Sequence, residues 1–191
     1  MGMLFTPPTV ATALDALRAA GVDALIALAL FPHFSQTTTG AAFARTRQAL
    51  LDARLEIPVH YVGPFFGSDA YVEGVANTVR AGLRRLPGQG PVHLLFSPHG
   101  LPMSVVEQGD PYPDQVRRSA RLVVDALRWT DPWHLAWQSR VGPSPWLAPS
   151  TLRNTQMYSW DSETWRYFKP NSDKRMPLSQ KIVVRSLHPM S

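Results

Sequence analysis

Val92-His-Leu-Leu-Phe-Ser-Pro-His-Gly-Leu-Pro102 decides how the chain is read. Val92–Phe96 has the length and apolar continuity of a buried strand, and Pro98, Gly100 and Pro102 stop it abruptly. A helical stretch at Pro113–Trp129 and a further strand at His134–Gln138 come after it. A strand that breaks into a tight turn, then a helix, then a strand is the grammar of a parallel α/β sheet.

The same grammar runs upstream. Thr9–Ala20 places Val10, Ala13, Leu14 and Leu17 on one helical face, with Gly21 suited to the position just past the helix end. Ala24–Phe31 is a continuous apolar run, expected as a buried strand. Thr39–Arg54 reads as a helix, Ile57–Val62 as a strand, and Ser68–Leu86 as a helix capped by Ser68 or Asp69. Pro87-Gly-Gln-Gly-Pro91 is the best linker candidate of the body and suggests two α/β units.

Composition then divides the chain again. It has 191 residues, 19 Lys+Arg against 14 Asp+Glu, and a net charge of +5. Residues 1–149 carry 12 Arg, no Lys and 11 acids, so only +1 of the charge; residues 150–191 carry +4, with 4 Arg, 3 Lys and 3 acids. All 12 Gly precede residue 150, and the last 42 residues contain no Ala. A nucleic-acid partner is therefore not expected, because the basic charge lies outside the body. The chain has no Cys, which excludes disulfides, thiolate metal sites and cysteine catalysis. No apolar run is long enough to span a membrane, no signal peptide opens the sequence, and a cytoplasmic setting is expected.

In open α/β sheets ligands lie beyond the carboxyl ends of strands. Phe31–Gly40, Ser97–Pro102 and Gln138–Trp146 occupy that place and concentrate His, hydroxyl and aromatic residues. His99 is the foremost candidate, since a neutral imidazole binds borderline metals or takes a proton near neutral pH; a turn-capping role is the alternative. His33 stands equivalently after the first strand, with core packing as its alternative. His60 and His93 read as structural, and His134 and His188 have no supporting context. Thr37-Thr-Thr-Gly40 opens a helix and is read either as an ordinary cap or as a place for an anionic group. No complete metal motif, serine-hydrolase elbow or nucleotide loop is present.

Leu94-Leu-Phe-Ser-Pro-His-Gly-Leu-Pro-Met-Ser-Val-Val-Glu-Gln-Gly-Asp-Pro-Tyr-Pro113 closely resembles the signature segment of ferrochelatases, which insert ferrous iron into porphyrins in haem synthesis. Trp137-Gln-Ser-Arg-Val-Gly-Pro-Ser-Pro-Trp-Leu-Ala-Pro149 and Phe31-Pro-His-Phe-Ser-Gln-Thr-Thr-Thr-Gly40 are similar to two further stretches of that family. The resemblance covers about residues 3–151. It implies an α/β chelatase fold of two doubly wound, Rossmann-like parallel-sheet halves with a porphyrin cleft between them, both halves incomplete in this chain. Residues 1–88 would be the later part of the first half and 89–151 the early part of the second. Residues 152–191 would be a non-homologous tail, disordered or the product of a frameshift, with a divergent native domain as the other reading.

The resemblance also implies a lyase in which His99 binds the metal or accepts pyrrole protons. Trp146, His33, Phe34 and Ser35 would contact porphyrin, His33 would lie near the metal, and Arg140 would pair with a propionate or form a surface salt bridge. Protoporphyrin IX or coproporphyrin III and ferrous iron would be substrates. No prosthetic group is expected, and a cysteine-ligated iron–sulfur cluster is ruled out by composition. Peripheral membrane contact and the oligomeric state stay open. The alternative is an inactive fragment that retains partial porphyrin binding, because the family's N-terminal glycine loop and C-terminal acidic motif have no counterpart here.

Overall fold

A computed structural model describes residues 1–86, 92–151 and the backbone of 180–186. The described chain falls into two compact units, residues 1–65 with 110–112 and residues 66–109 with the rest. None of the described helices is long and apolar enough to cross a membrane.

In the first unit α1 (Val10–Ala19) and α2 (Ala41–Asp52) pack on a two-stranded parallel sheet, β1 (Leu25–Leu28) and β2 (Val59–Val62). Thr9 caps α1 by accepting the Thr12 N–H at 3.2 Å, and Gly21 leaves the helix at φ +70°. Leu14, Ala49 and Leu50 form the core, joined by Leu17, Leu25, Ile57 and Val59. Each fully buried leucine contributes about 1.5–3 kcal/mol.

The strand expected over Ala24–Phe31 is shorter and covered on one face alone. Leu25 and Ala27 are half-buried, whereas Ile26, Leu28 and Leu30 are 72%, 51% and 71% exposed. An unbroken apolar run cannot reveal which of its two faces is covered, because every second side chain points away from the helices.

The second unit is built on β3 (Val92–Pro98), flanked by parallel β4 (Trp133–Leu135) and antiparallel β5 (Gln180–Ser186). α3 (Asp69–Leu83) and α5 (Tyr112–Leu127) cover one face of this sheet, and the short α4 (Met103–Glu107) comes after β3. Val72, Ala76 and Val79 of α3 meet Leu94 and Phe96 of β3 and Ala120, Val123 and Val124 of α5. The near-zero exposure of Ala76 and Ala120 shows where small side chains sit in this core.

By packing, the boundary between the two units lies at Phe65–Phe66, because α3 buries its apolar stripe against β3 and α5. The proposed linker Pro87–Pro91 lies outside the described residues. Residues 180–186 are not disordered: they pair with β3 from Val92↔Ser186 to Pro98↔Gln180. Ile182-Val-Val184 supplies three consecutive β-branched residues, and the pairing covers an otherwise open edge. Most of the remaining tail lies outside the described residues. The expected α/β class with parallel strand pairs holds.

Candidate functional site

Each unit presents candidate residues at the point where a strand runs out. In the first unit, the chain leaves β1 through Phe31 and Pro32 into a π-helical turn, Gln36–Gly40, that continues as α2. Ser35 caps this turn, its Oγ accepting the Thr37 N–H at 3.2 Å. The carbonyl oxygen of Ser35 accepts the Gly40 N–H at 3.0 Å. A side chain at Gly40 would lie 3.4 Å from both the Phe34 ring and the Ser35 carbonyl, so the turn closes on Phe34.

A carboxylate from far along the chain completes this turn. Asp110 Oδ2 accepts the Ser35 hydroxyl at 2.8 Å and the Gln36 N–H at 2.7 Å, while its Oδ1 accepts the Tyr112 N–H at 3.0 Å. Asp110 is 5% exposed and Ser35 1%. Three donors to one buried carboxylate offset the cost of removing it from water. The start of the turn read as a place for an anionic group, at Ser35 and Gln36 just before Thr37–Gly40, is thus met by the protein's own Asp110. Neither Asp110 nor Tyr112 stands out in the sequence as a site residue, although both lie in the Gly109-Asp-Pro-Tyr-Pro113 end of the ferrochelatase-like segment Leu94–Pro113.

His33 is buried, 4% exposed, with the Tyr112 ring edge-on at 5.8 Å and 83°. Burial lowers its imidazole to about 4, so it is neutral throughout the physiological range. Its carbonyl oxygen accepts the Thr39 hydroxyl at 3.4 Å. Phe34 is half-buried beside it.

In the second unit, β3 delivers His99 to the surface. Gly100 donates its N–H to the Gln138 carbonyl at 2.7 Å, and Gln138 donates to the Pro98 carbonyl at 2.8 Å, which clamps the turn on both sides of His99. Gly100 fits closely here, since an added Cβ would stand 3.1 Å from the Gln138 carbonyl oxygen and press on it. Gln138 is a residue whose role the sequence did not reveal, since its contribution is made by backbone atoms.

The loop from Gln138 returns along the next turn. Leu147 donates to the Leu101 carbonyl at 3.0 Å and Met103 to the Pro145 carbonyl at 2.9 Å. Trp146 is thereby set edge-on to His99, with ring centroids 6.5 Å apart and planes at 72°. The Trp146 indole N–H donates to the Val141 carbonyl at 3.0 Å. Between them, Ser139 and Gly142 take positive φ values of 64° and 74°, and Arg140 is exposed on this loop. An exposed imidazole, a tryptophan and a guanidinium can together serve a metal or proton, a flat apolar ring and a carboxylate.

Of the expected site residues, His99, Trp146 and Arg140 therefore belong to the second unit and His33, Phe34 and Ser35 to the first. Among the described residues no group of three or more His, Cys, Asp or Glu side chains is arranged to hold a metal ion.

Comparison with known proteins covers the stretch of chain that carries both groups of residues. A family model described as Ferrochelatase matches residues 1–162. The ferrochelatase of Geobacter metallireducens is 38% identical over 149 residues, covering 78% of this chain and 47% of the relative. That of Geotalea uraniireducens is 37% identical over 151 residues, with 79% and 47% covered. That of Synechococcus elongatus is 38% identical over 157 residues, with 79% and 40% covered. The chain spans about half the length of the relatives it matches, and the family match extends beyond residue 151, where the resemblance was expected to stop.

Proposed function

Because the chain belongs to the ferrochelatase family, we propose that it serves the insertion of ferrous iron into a porphyrin in haem synthesis, a lyase reaction, with His99 as its reacting side chain. The observation that carries this reading is the exposed His99 at the carboxyl end of β3, fixed by the Gly100–Gln138 clamp and faced by Trp146. Insertion exchanges two pyrrole protons for one divalent ion, so the site must bind the incoming ion or take up protons as its bonds to nitrogen form. A neutral imidazole is suited to either task.

The remaining residues take roles that their surroundings support. Trp146 and Phe34 offer aromatic surface to a flat macrocycle. The exposed Arg140 suits a propionate, which a guanidinium binds through two parallel hydrogen bonds. Ser35 acts through its bond to Asp110, holding the turn beside Phe34. For His33, burial lowers the proton affinity and leaves a neutral imidazole, the form able to meet a metal or a porphyrin. Iron is the substrate in this reading, and no prosthetic group enters it.

The test is spectrophotometric. Purified chain is mixed with protoporphyrin IX or coproporphyrin III and with ferrous iron or zinc, and metalloporphyrin formation is monitored in the visible bands. Insertion above the uncatalysed rate supports the proposal and ranks the two porphyrins. Porphyrin binding without insertion supports the second reading, a binding fragment.

A further inference from the structure

His93 and His134 play no part in the proposed insertion reaction, and neither stands out in the sequence. They lie on neighbouring parallel strands, where Leu95 is the register partner of His134 and His93 precedes it by two positions on the same face. His93 Nδ1 and His134 Nε2 are 3.0 Å apart, and the two rings are 11° from parallel. Both side chains are partly exposed. The six residue steps from His93 to His99 span roughly 20 Å at the rise of an extended strand, so the pair is remote from His99.

We propose that His93 and His134 form a two-imidazole site for a borderline divalent cation such as Zn²⁺ or Ni²⁺. Metal–imidazole bonds of about 2.0–2.1 Å at tetrahedral or right angles place two ligating nitrogens about 2.8–3.4 Å apart. The observed 3.0 Å lies within that range. Without metal, one of the two nitrogens carries the shared proton. Binding requires that proton to move to the other nitrogen of the same ring, so that two lone pairs face the ion and no net proton is released. A swing of the partly exposed rings then makes the lone pairs converge.

Water fills the remaining positions, because among the described residues no third His, Asp or Glu joins the pair. Imidazole ligands favour zinc, nickel and copper over magnesium or calcium.

Calorimetric titration with ZnCl₂ tests the site, using the full chain carrying His99→Ala so that the proposed reaction site does not contribute. One equivalent of Zn²⁺ is expected to bind, and adding His93→Asn or His134→Asn should weaken it by about tenfold or more. No binding, or affinity unchanged by both substitutions, identifies a hydrogen-bonded pair only and overturns the proposal. A second measurement needs no substitution. Substoichiometric Ni²⁺ should broaden the imidazole NMR signals of His93 and His134 together, whereas broadening of His60 or His188 with these two unaffected contradicts it. Neither result depends on whether the chain metallates porphyrin.

Discussion

Ser35 and Asp110, 75 positions apart in sequence, share a buried hydrogen bond of 2.8 Å that fixes the turn between β1 and α2. The same carboxylate oxygen takes the Gln36 N–H at 2.7 Å. Removing Asp110 would take the acceptor from the Ser35 hydroxyl and from the Gln36 and Tyr112 N–H groups and leave a cavity in its place, so Asp110→Ala should destabilise the chain by about 2–4 kcal/mol. Asp110→Asn retains one acceptor and turns a donor toward another, with an expected cost of about 1–3 kcal/mol. Urea unfolding measures both. A double-mutant cycle with Ser35→Ala should show coupling, and additive losses would mean that the bond carries no energy of its own.

Stability should also depend on pH through His33. Its folded value of about 4 lies below the ordinary 6.5, so between these values the unfolded chain binds more protons. The contribution is complete above pH 6.5, falls as the pH drops from 6.5 toward 4, and is lost below that. Its size is on the order of 3 kcal/mol. Urea midpoints measured from about pH 7.5 down to about pH 4 should show this loss, and His33→Phe should flatten much of it. An unchanged slope in that variant would refute the burial argument.

Gly100→Ala tests the clamp around His99. The new methyl would press on the Gln138 carbonyl from 3.1 Å, and a backbone atom cannot swing aside as a side-chain end can. A loss of about 1–3 kcal/mol is expected in thermal or urea unfolding. Full stability would show that the two segments separate without cost.

β5 should protect the edge of β3. Proline lacks the N–H that a ladder requires, and alternate residues of β5 point their amides toward β3. One of Val183→Pro and Val184→Pro is therefore expected to speed amide exchange across Leu94–Phe96 and to promote self-association. Wild-type exchange and a monomeric profile in both variants would show that the pairing contributes nothing.

The helices were legible in the sequence because their apolar residues recur at helical spacing. Leu14 and Leu17, Val72 and Val79, and Val116, Ala120, Val123 and Val124 all lie where that spacing put them or extended it. His99 was singled out by position, since a strand that stops at proline and glycine must present its next residues at the sheet's end, whereas Trp146 was singled out by the resemblance of Trp137–Pro149; the fold sets the two rings edge-on. The hidden features depend on long-range pairing. Asp110 is an ordinary acid until the fold brings it to Ser35, and His93 and His134 are isolated until β3 and β4 align. The coverage of β1 on a single face and the pairing of β5 are likewise decided by neighbours that no local pattern specifies.

The role of His99 is tested most directly by comparing metal insertion in the wild-type chain and in His99→Ala at equal porphyrin occupancy. Insertion by the wild type is expected, with a loss of about 10²–10⁴-fold in the variant and porphyrin binding retained. Equal rates in the two proteins, or no insertion by either despite bound porphyrin, would contradict that role.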